Sequence, residues 1–96
     1  MLIDWTDRAK IHLRGIVEYI AQDNPAAAYR VHGDIQQQTA RLADYPKLGR
    51  VGRVKGTREL VINRTPYIVA YQIKSDTVQI LAVLHGAQDW NKQFPD

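Results

Sequence analysis

Three apolar runs rich in β-branched residues fill the last third of the chain and constrain its fold most strongly. They span residues 58–62, 67–73 and 77–85, with short polar breaks at 63–66 and 74–76. Runs of this kind, joined by short polar turns, are typical of consecutive antiparallel strands. The last run is apolar at nearly every position, which indicates a strand that is covered on both faces.

The first half of the chain has the pattern of two helices. Thr6 and Asp7 are good helix starters, because their side-chain oxygens accept hydrogen bonds from free amides of the first turn. Apolar residues then recur at helical spacing for about three turns. Asn24 and Pro25 mark a second start, and the residue before a proline is pushed out of helical geometry, so this helix should end at Tyr45. Because few residues join the two helices, we expect an antiparallel hairpin.

The remaining segments complete a simple order of elements. Residues 2–5 are apolar and supply an opening strand, whereas residues 47–56, with three glycines and four basic residues, indicate a loop. This order predicts an α+β domain. The N-terminal strand and the three later strands form a mainly antiparallel four-stranded sheet, and an antiparallel helical hairpin packs on it. The 96 residues suffice for one domain, 1–96.

Composition excludes several classes of function. The chain has no cysteine, which excludes disulfides, thiolate nucleophiles and cysteine metal sites. No stretch approaches the ~20 apolar residues of a membrane span, and no signal pattern opens the chain, so we expect a cytoplasmic protein without a membrane partner. The net charge of +3 favours an anionic partner only mildly. His12 and His32 lack a metal-like spacing and are expected at the surface, and we expect no metal and no cofactor.

Five short motifs follow one another along the chain. They read DNPAAA at 23–28, YPKLGR at 45–50, GTRELV at 56–61, PYIVAY at 66–71 and ILAVLHGAQ at 80–88. In this set and order the chain resembles the RelE/ParE superfamily of bacterial toxins, the toxic halves of type II toxin-antitoxin, or plasmid-stabilisation, modules. The likeness covers nearly the whole chain.

The resemblance implies a small growth-inhibiting toxin that a cognate antitoxin wraps and holds inactive, with operator DNA bound only through the antitoxin. One branch of the superfamily cleaves messenger RNA on the ribosome, and the other is reported to block DNA gyrase and is not thought to be a nuclease. We favour ParE-like inhibition of an essential target, with gyrase as the family expectation. The alternatives are a RelE-like, metal-independent endoribonuclease and a degenerate toxin that serves only in a repressor complex. Whether the chain is an enzyme therefore stays open.

We favour the gyrase branch because several residues of this chain differ from those of the ribonuclease branch. Such an enzyme needs a general base, an acid and cations around the scissile phosphate. Ile68 stands where those enzymes carry an arginine, and the preceding strand offers Arg58 in place of several alternating lysines. Where they have a basic residue and a tyrosine near the carboxyl end, our alignment finds Gln88 and either Trp90 or Phe94.

The candidate site residues are mostly basic. Five are candidates for binding the target or the antitoxin: Arg50, Arg53, Lys55, Arg58 and Trp90. The alternative for Arg50, Arg53 and Lys55 is that they belong to a solvated loop. The alternative for Arg58 is a strand-edge arginine that pairs with Glu59, Asp76 or an antitoxin carboxylate. Trp90 serves equally well as a core or interface anchor.

A ribonuclease would draw its catalytic groups from Arg58, His85 and Lys55. His85 suits acid or base work because its reference pKa lies near neutrality. Its alternative role is a structural hydrogen bond at the end of the last strand.

Overall fold

The first half of the chain forms a strand and two helices in the computed structural model, which describes residues 1–87. Strand β1 spans Leu2–Trp5, helix α1 spans Asp7–Ala21 and helix α2 spans Pro25–Ala40. The side-chain oxygens of Thr6 and Asn24 cap the helices, accepting first-turn amides at 3.2 and 3.0 Å. The predicted helix starts are therefore confirmed, and for the predicted reason.

Helix α2 ends earlier than the sequence suggests. A 3₁₀ turn at Arg41–Ala43 follows Ala40, so the α-helix stops short of the expected end at Tyr45. Short 3₁₀ turns are common at helix ends. Here the turn contains Leu42, which is fully buried, so tertiary packing favours the tighter winding.

Four more strands complete one sheet. They are β2 (Arg50–Val51), β3 (Arg58–Val61), β4 (Tyr67–Lys74) and β5 (Thr77–His85). The spatial order is β1-β5-β4-β3-β2, with β1 parallel to β5 and every other neighbouring pair antiparallel. The α+β class is confirmed, but within residues 1–87 the sheet has five strands where the sequence predicted four. The added strand, β2, lies in the segment expected to be a loop and exists because β3 offers it a free edge.

The sheet carries apolar side chains on both faces. Its inner face packs on the helices around Val69, Tyr71 and Ile80, whereas Ile68 and Leu84 belong to a second cluster on the outer face, away from the helices. A β-bulge in β5 shifts the alternation of side chains, because Ala70 and Tyr71 of β4 pair with Ala82 and Ile80 and skip the residue between. The second half of β5, from Ala82 to Leu84, is thus buried on both faces, as its nearly continuous apolar run predicts.

Candidate functional site

A buried carboxylate holds together the residues of the basic segment, by which we mean residues 47–59. Glu59 on β3 pairs across the sheet with Arg50 on β2 and is only 2% exposed. Arg50 Nη2 donates to Glu59 Oε1 at 3.0 Å, and Arg53 Nε donates to Oε2 at 3.1 Å. The backbone amide of Arg53 also donates to Oε2, at 2.8 Å. One carboxylate therefore holds both arginines, which we call the arginine pair; their side chains are 56% and 42% exposed.

Glu59 stays ionised at neutral pH in this setting. Burial alone would raise the pKa of Glu59, but hydrogen bonds from Arg53 and Arg50 and the charge of Arg53 outweigh it. The pKa of Glu59 therefore lies below its ordinary value of 4.5. Two guanidinium groups and one carboxylate leave the cluster with a single net positive charge.

Arg58 lies on the opposite, inner face of the sheet. Its Nη1 donates to the Gly49 carbonyl at 2.8 Å, rather than binding Glu59, because adjacent residues of a strand point to opposite faces. The buried hydroxyl of Tyr71, across from Arg58, accepts the Gly49 amide at 2.9 Å and donates to the Pro46 carbonyl at 2.8 Å. Burial raises the pKa of Tyr71, against the lowering effects of the Gly49 amide and of Arg58. Arg58 and Tyr71 together fasten the chain that leads into β2.

The loop between β2 and β3 is also fastened at several points. The Gly52 amide donates to the Thr57 carbonyl at 2.8 Å, and the Thr57 hydroxyl donates to the Val54 carbonyl at 2.6 Å. Lys55 is exposed near the tip of this loop. The basic segment is therefore a preformed scaffold, and the interpretation of Arg50 and Arg53 as plain solvated loop residues does not describe them.

His85 lies at the far end of the central strands. It pairs with Tyr67, their rings meet edge to face at a centroid distance of 5.8 Å, and its Nδ1 accepts the Ala87 amide at 3.1 Å. Arg58 pairs with Tyr71 of β4, and His85 pairs with Tyr67 of the same strand. These two β4 residues are four positions apart, which is about 13 Å along the strand. The structure therefore does not bring Arg58, His85 and Lys55 together in one site. Three other aligned positions fall beyond the described residues: Gln88, Trp90 and Phe94.

His12 has a structural role that the sequence analysis missed. It is half-buried, and its Nδ1 accepts the amide of Val83 at 3.2 Å. The prediction of a surface position is therefore wrong for His12, whereas His32 is exposed as predicted. Strand β1 pairs with β5 only as far as Ile80, which leaves the amide of Val83 beyond its reach. No local signal reveals this bond, because it depends on how α1 crosses the sheet.

Residues 1–87 show no sign of a metal centre or of a membrane-spanning helix. No three His, Asp or Glu side chains in that range lie close enough to hold a metal ion. No helix in the same range is long and apolar enough to cross a bilayer.

Comparisons with known sequences converge on one family. The family model described as the ParE toxin of the type II toxin-antitoxin system, parDE, matches residues 3–90. Y4kP, a candidate toxin of Sinorhizobium fredii, is 49% identical over 88 residues, covering 92% of this chain and 91% of the relative. Toxin RelE2 of Caulobacter vibrioides is 36% identical over 84 residues, covering 88% of this chain and 93% of the relative.

Solved structures agree on the fold. The chromosomal ParDE system of P. aeruginosa superposes with a TM-score of 0.81 at 27% identity, covering 88% of this chain and 95% of that chain. The intact RelBE toxin-antitoxin complex of E. coli gives a TM-score of 0.65 at 12% identity, covering 91% and 98%. The second likeness supports the shared architecture alone.

Proposed function

The chain belongs to the ParE toxin family of type II toxin-antitoxin systems, and we propose that it arrests growth in the cytoplasm by binding and inhibiting DNA gyrase. In this proposal the toxin acts by binding to its target and not by catalysing a reaction. This separates the chain from relatives that cut messenger RNA.

The chemistry of the outer face supports this proposal most strongly. A ribonuclease stabilises the negative charge that develops on the phosphate, and losing one preorganised donor typically costs about 10²–10³ in rate. Ile68 stands where the ribonuclease branch places an arginine, and its neighbour across the strand pair is Val61. Beside them Glu59 is a buried, ionised carboxylate that binds Arg50 and Arg53. The face thus offers apolar groups where the reaction needs cations, and the two arginines beside them are already bound to a carboxylate.

A cognate antitoxin is the second part of the proposal. The solved relatives belong to a ParDE system and a RelBE toxin-antitoxin complex. The arginine pair and Lys55 present partly exposed cations on a preformed loop, which suits carboxylates of an antitoxin or of the target. We assign Arg58 to the support of that loop and propose Trp90 as a further contact. Operator DNA would be reached only through the antitoxin.

Ribosome-dependent cleavage of messenger RNA is the alternative. The observation in its favour is the same preformed loop, whose Arg53 and Lys55 are exposed cations within one tight segment. A degenerate toxin that serves only in a repressor complex is a third candidate.

Expression in a bacterial host separates these functions. The toxin is induced with and without its antitoxin, and messenger RNA ends and gyrase-linked DNA breaks are mapped in the same cultures. We expect DNA breaks and growth arrest that the antitoxin abolishes, without new codon-dependent RNA ends. Codon-dependent RNA ends without DNA breaks would reverse the assignment, and normal growth at high toxin levels would favour the degenerate toxin.

A further inference from the structure

The solvent side of α1 contains a glycine that packing within residues 1–87 does not require. Gly15 lies in the middle of α1, and a Cβ built at this position would meet no atom of those residues within 4 Å. Glycine is the least favourable helix-interior residue after proline, and alanine is the most favourable. An alanine would therefore fit this site in the free protein and strengthen the helix.

The neighbours of Gly15 on the helix surface are apolar and exposed. Ile11 and Tyr19 lie four residues before and after it and are 61% and 71% exposed. Residues spaced by four share one face of a helix, so Gly15 forms a gap between these two side chains. We call this gap, with its two flanking residues, the Gly15 notch.

The notch opens into a groove of about 420 Å³ between α1 and the end of the sheet. Tyr67, Val83 and His85 line the sheet side of the groove, and among residues 1–87 no Asp, Glu, Lys or Arg lines it. A second groove, on the flank of α1 that faces α2, is different in character, because Lys10 and Glu18 are among its lining residues. The groove at the notch therefore suits an uncharged, apolar occupant.

We propose that the Gly15 notch receives an apolar segment of the cognate antitoxin, which approaches the helix backbone closely at Gly15. This inference rests on the proposed function for the identity of the partner. An acidic segment or a phosphate backbone finds no Lys or Arg among the lining residues that the structure describes. A second copy of the chain is disfavoured because each copy carries a net charge of +3. The antitoxin would then make two separate contacts, acidic at the arginine pair and apolar at the notch.

Gly33 provides a matched control for the test. It lies within α2, and a Cβ at this position also meets no described atom within 4 Å. Gly15→Ala and Gly33→Ala should each raise the melting temperature of the free toxin by about 3–8 °C. Only Gly15→Ala should weaken binding of the antitoxin, by about 5- to 150-fold, because the added methyl group overpacks the contact.

Binding is measured by calorimetry with the purified product of the short reading frame next to the toxin gene. Equal affinity of wild type and Gly15→Ala would overturn the notch proposal and leave the proposed function standing. Failure of the wild type itself to bind would overturn both. A lowered melting temperature for Gly15→Ala alone would assign the notch to the chain's own residues 88–96. A dimer of free toxin that Gly15→Ala disrupts would assign it to a second copy, and either outcome contradicts the proposal.

Discussion

Replacing Glu59 with glutamine removes the counter-ion of the arginine pair at almost constant volume. In the wild type, Arg50 Nη2 and Nε bind the carboxylate at 3.0 and 3.3 Å. Arg53 adds three contacts, from its amide at 2.8 Å, its Nε at 3.1 Å and its Nη2 at 3.3 Å. A glutamine keeps one acceptor oxygen and turns an NH₂ group toward the guanidinium groups, so two or three of these five bonds are lost and the rest lose their charged acceptor.

The expected loss of stability follows from the burial of the three groups. Breaking a fully buried ion pair costs about 3–5 kcal/mol. Arg50 and Arg53 are about half exposed, so water replaces part of what Glu59 supplied, and we expect about 2 kcal/mol. For a domain of this size that lowers the melting temperature by roughly 8–16 °C. Glu18→Gln, at an exposed position of α1, is the control and should change stability by less than about 0.5 kcal/mol.

The effect of Glu59→Gln should depend on pH. Because the pKa of Glu59 is lower in the folded state, its stabilisation is present above the unfolded pKa and is lost as the pH falls through the folded value. Urea unfolding followed by circular dichroism should therefore show a constant gap between wild type and variant from about pH 7 to 5, closing below about pH 4. Equal stability at pH 7, or a gap that persists unchanged at pH 3, would refute the role assigned to Glu59.

Three other variants test the basic segment. Tyr71→Phe leaves the buried Gly49 amide without its acceptor and should cost about 1–3 kcal/mol in urea unfolding, whereas an unchanged midpoint would remove the hydroxyl from the account. Arg53→Glu combined with Lys55→Glu should slow antitoxin association and flatten its salt dependence in stopped-flow measurements; unchanged rates at low salt would exclude electrostatic steering. Arg58→Ala should reduce toxicity while the far-UV spectrum stays native, because the loop loses its bond to Arg58, and full growth arrest by a well-expressed variant would contradict this.

Much of the fold follows from local signals in the sequence. Asn24 and Pro25 start α2 as expected, because capping and the fixed φ of proline act within one turn. Strand β1 and strand β5 have the predicted bounds, since long apolar runs end where polar residues begin.

The wrong predictions concern features of the fold that depend on tertiary contacts. Strand β2 is two residues long and pairs only because β3 presents Arg58 and Glu59 across from it, so no local pattern marks it. The end of α2 shifted because Leu42 is buried in the core. The side chain of Gln38 accepts the Asn63 amide at 2.8 Å, a bond that no local pattern marks because it depends on the β3–β4 turn lying against α2.

The candidate site was recognised in part. The sequence marked Arg50 and Arg53 as a basic group but not the carboxylate that holds them, and it offered Glu59 as a partner for Arg58. A usable signal existed, since neighbours on a strand point to opposite faces and a direct Arg58–Glu59 pair was therefore disfavoured. The partners of Glu59 could not be derived, because they depend on the pairing of β2 with β3.

The most direct test of the central claim is a supercoiling assay with purified gyrase, relaxed plasmid and increasing amounts of toxin. We predict that the toxin inhibits supercoiling and that stoichiometric antitoxin restores it. Parallel incubation with translating ribosomes should leave messenger RNA intact. Full supercoiling at excess toxin, together with RNA cuts in the ribosomal decoding site, would contradict the claim that this chain is a gyrase inhibitor.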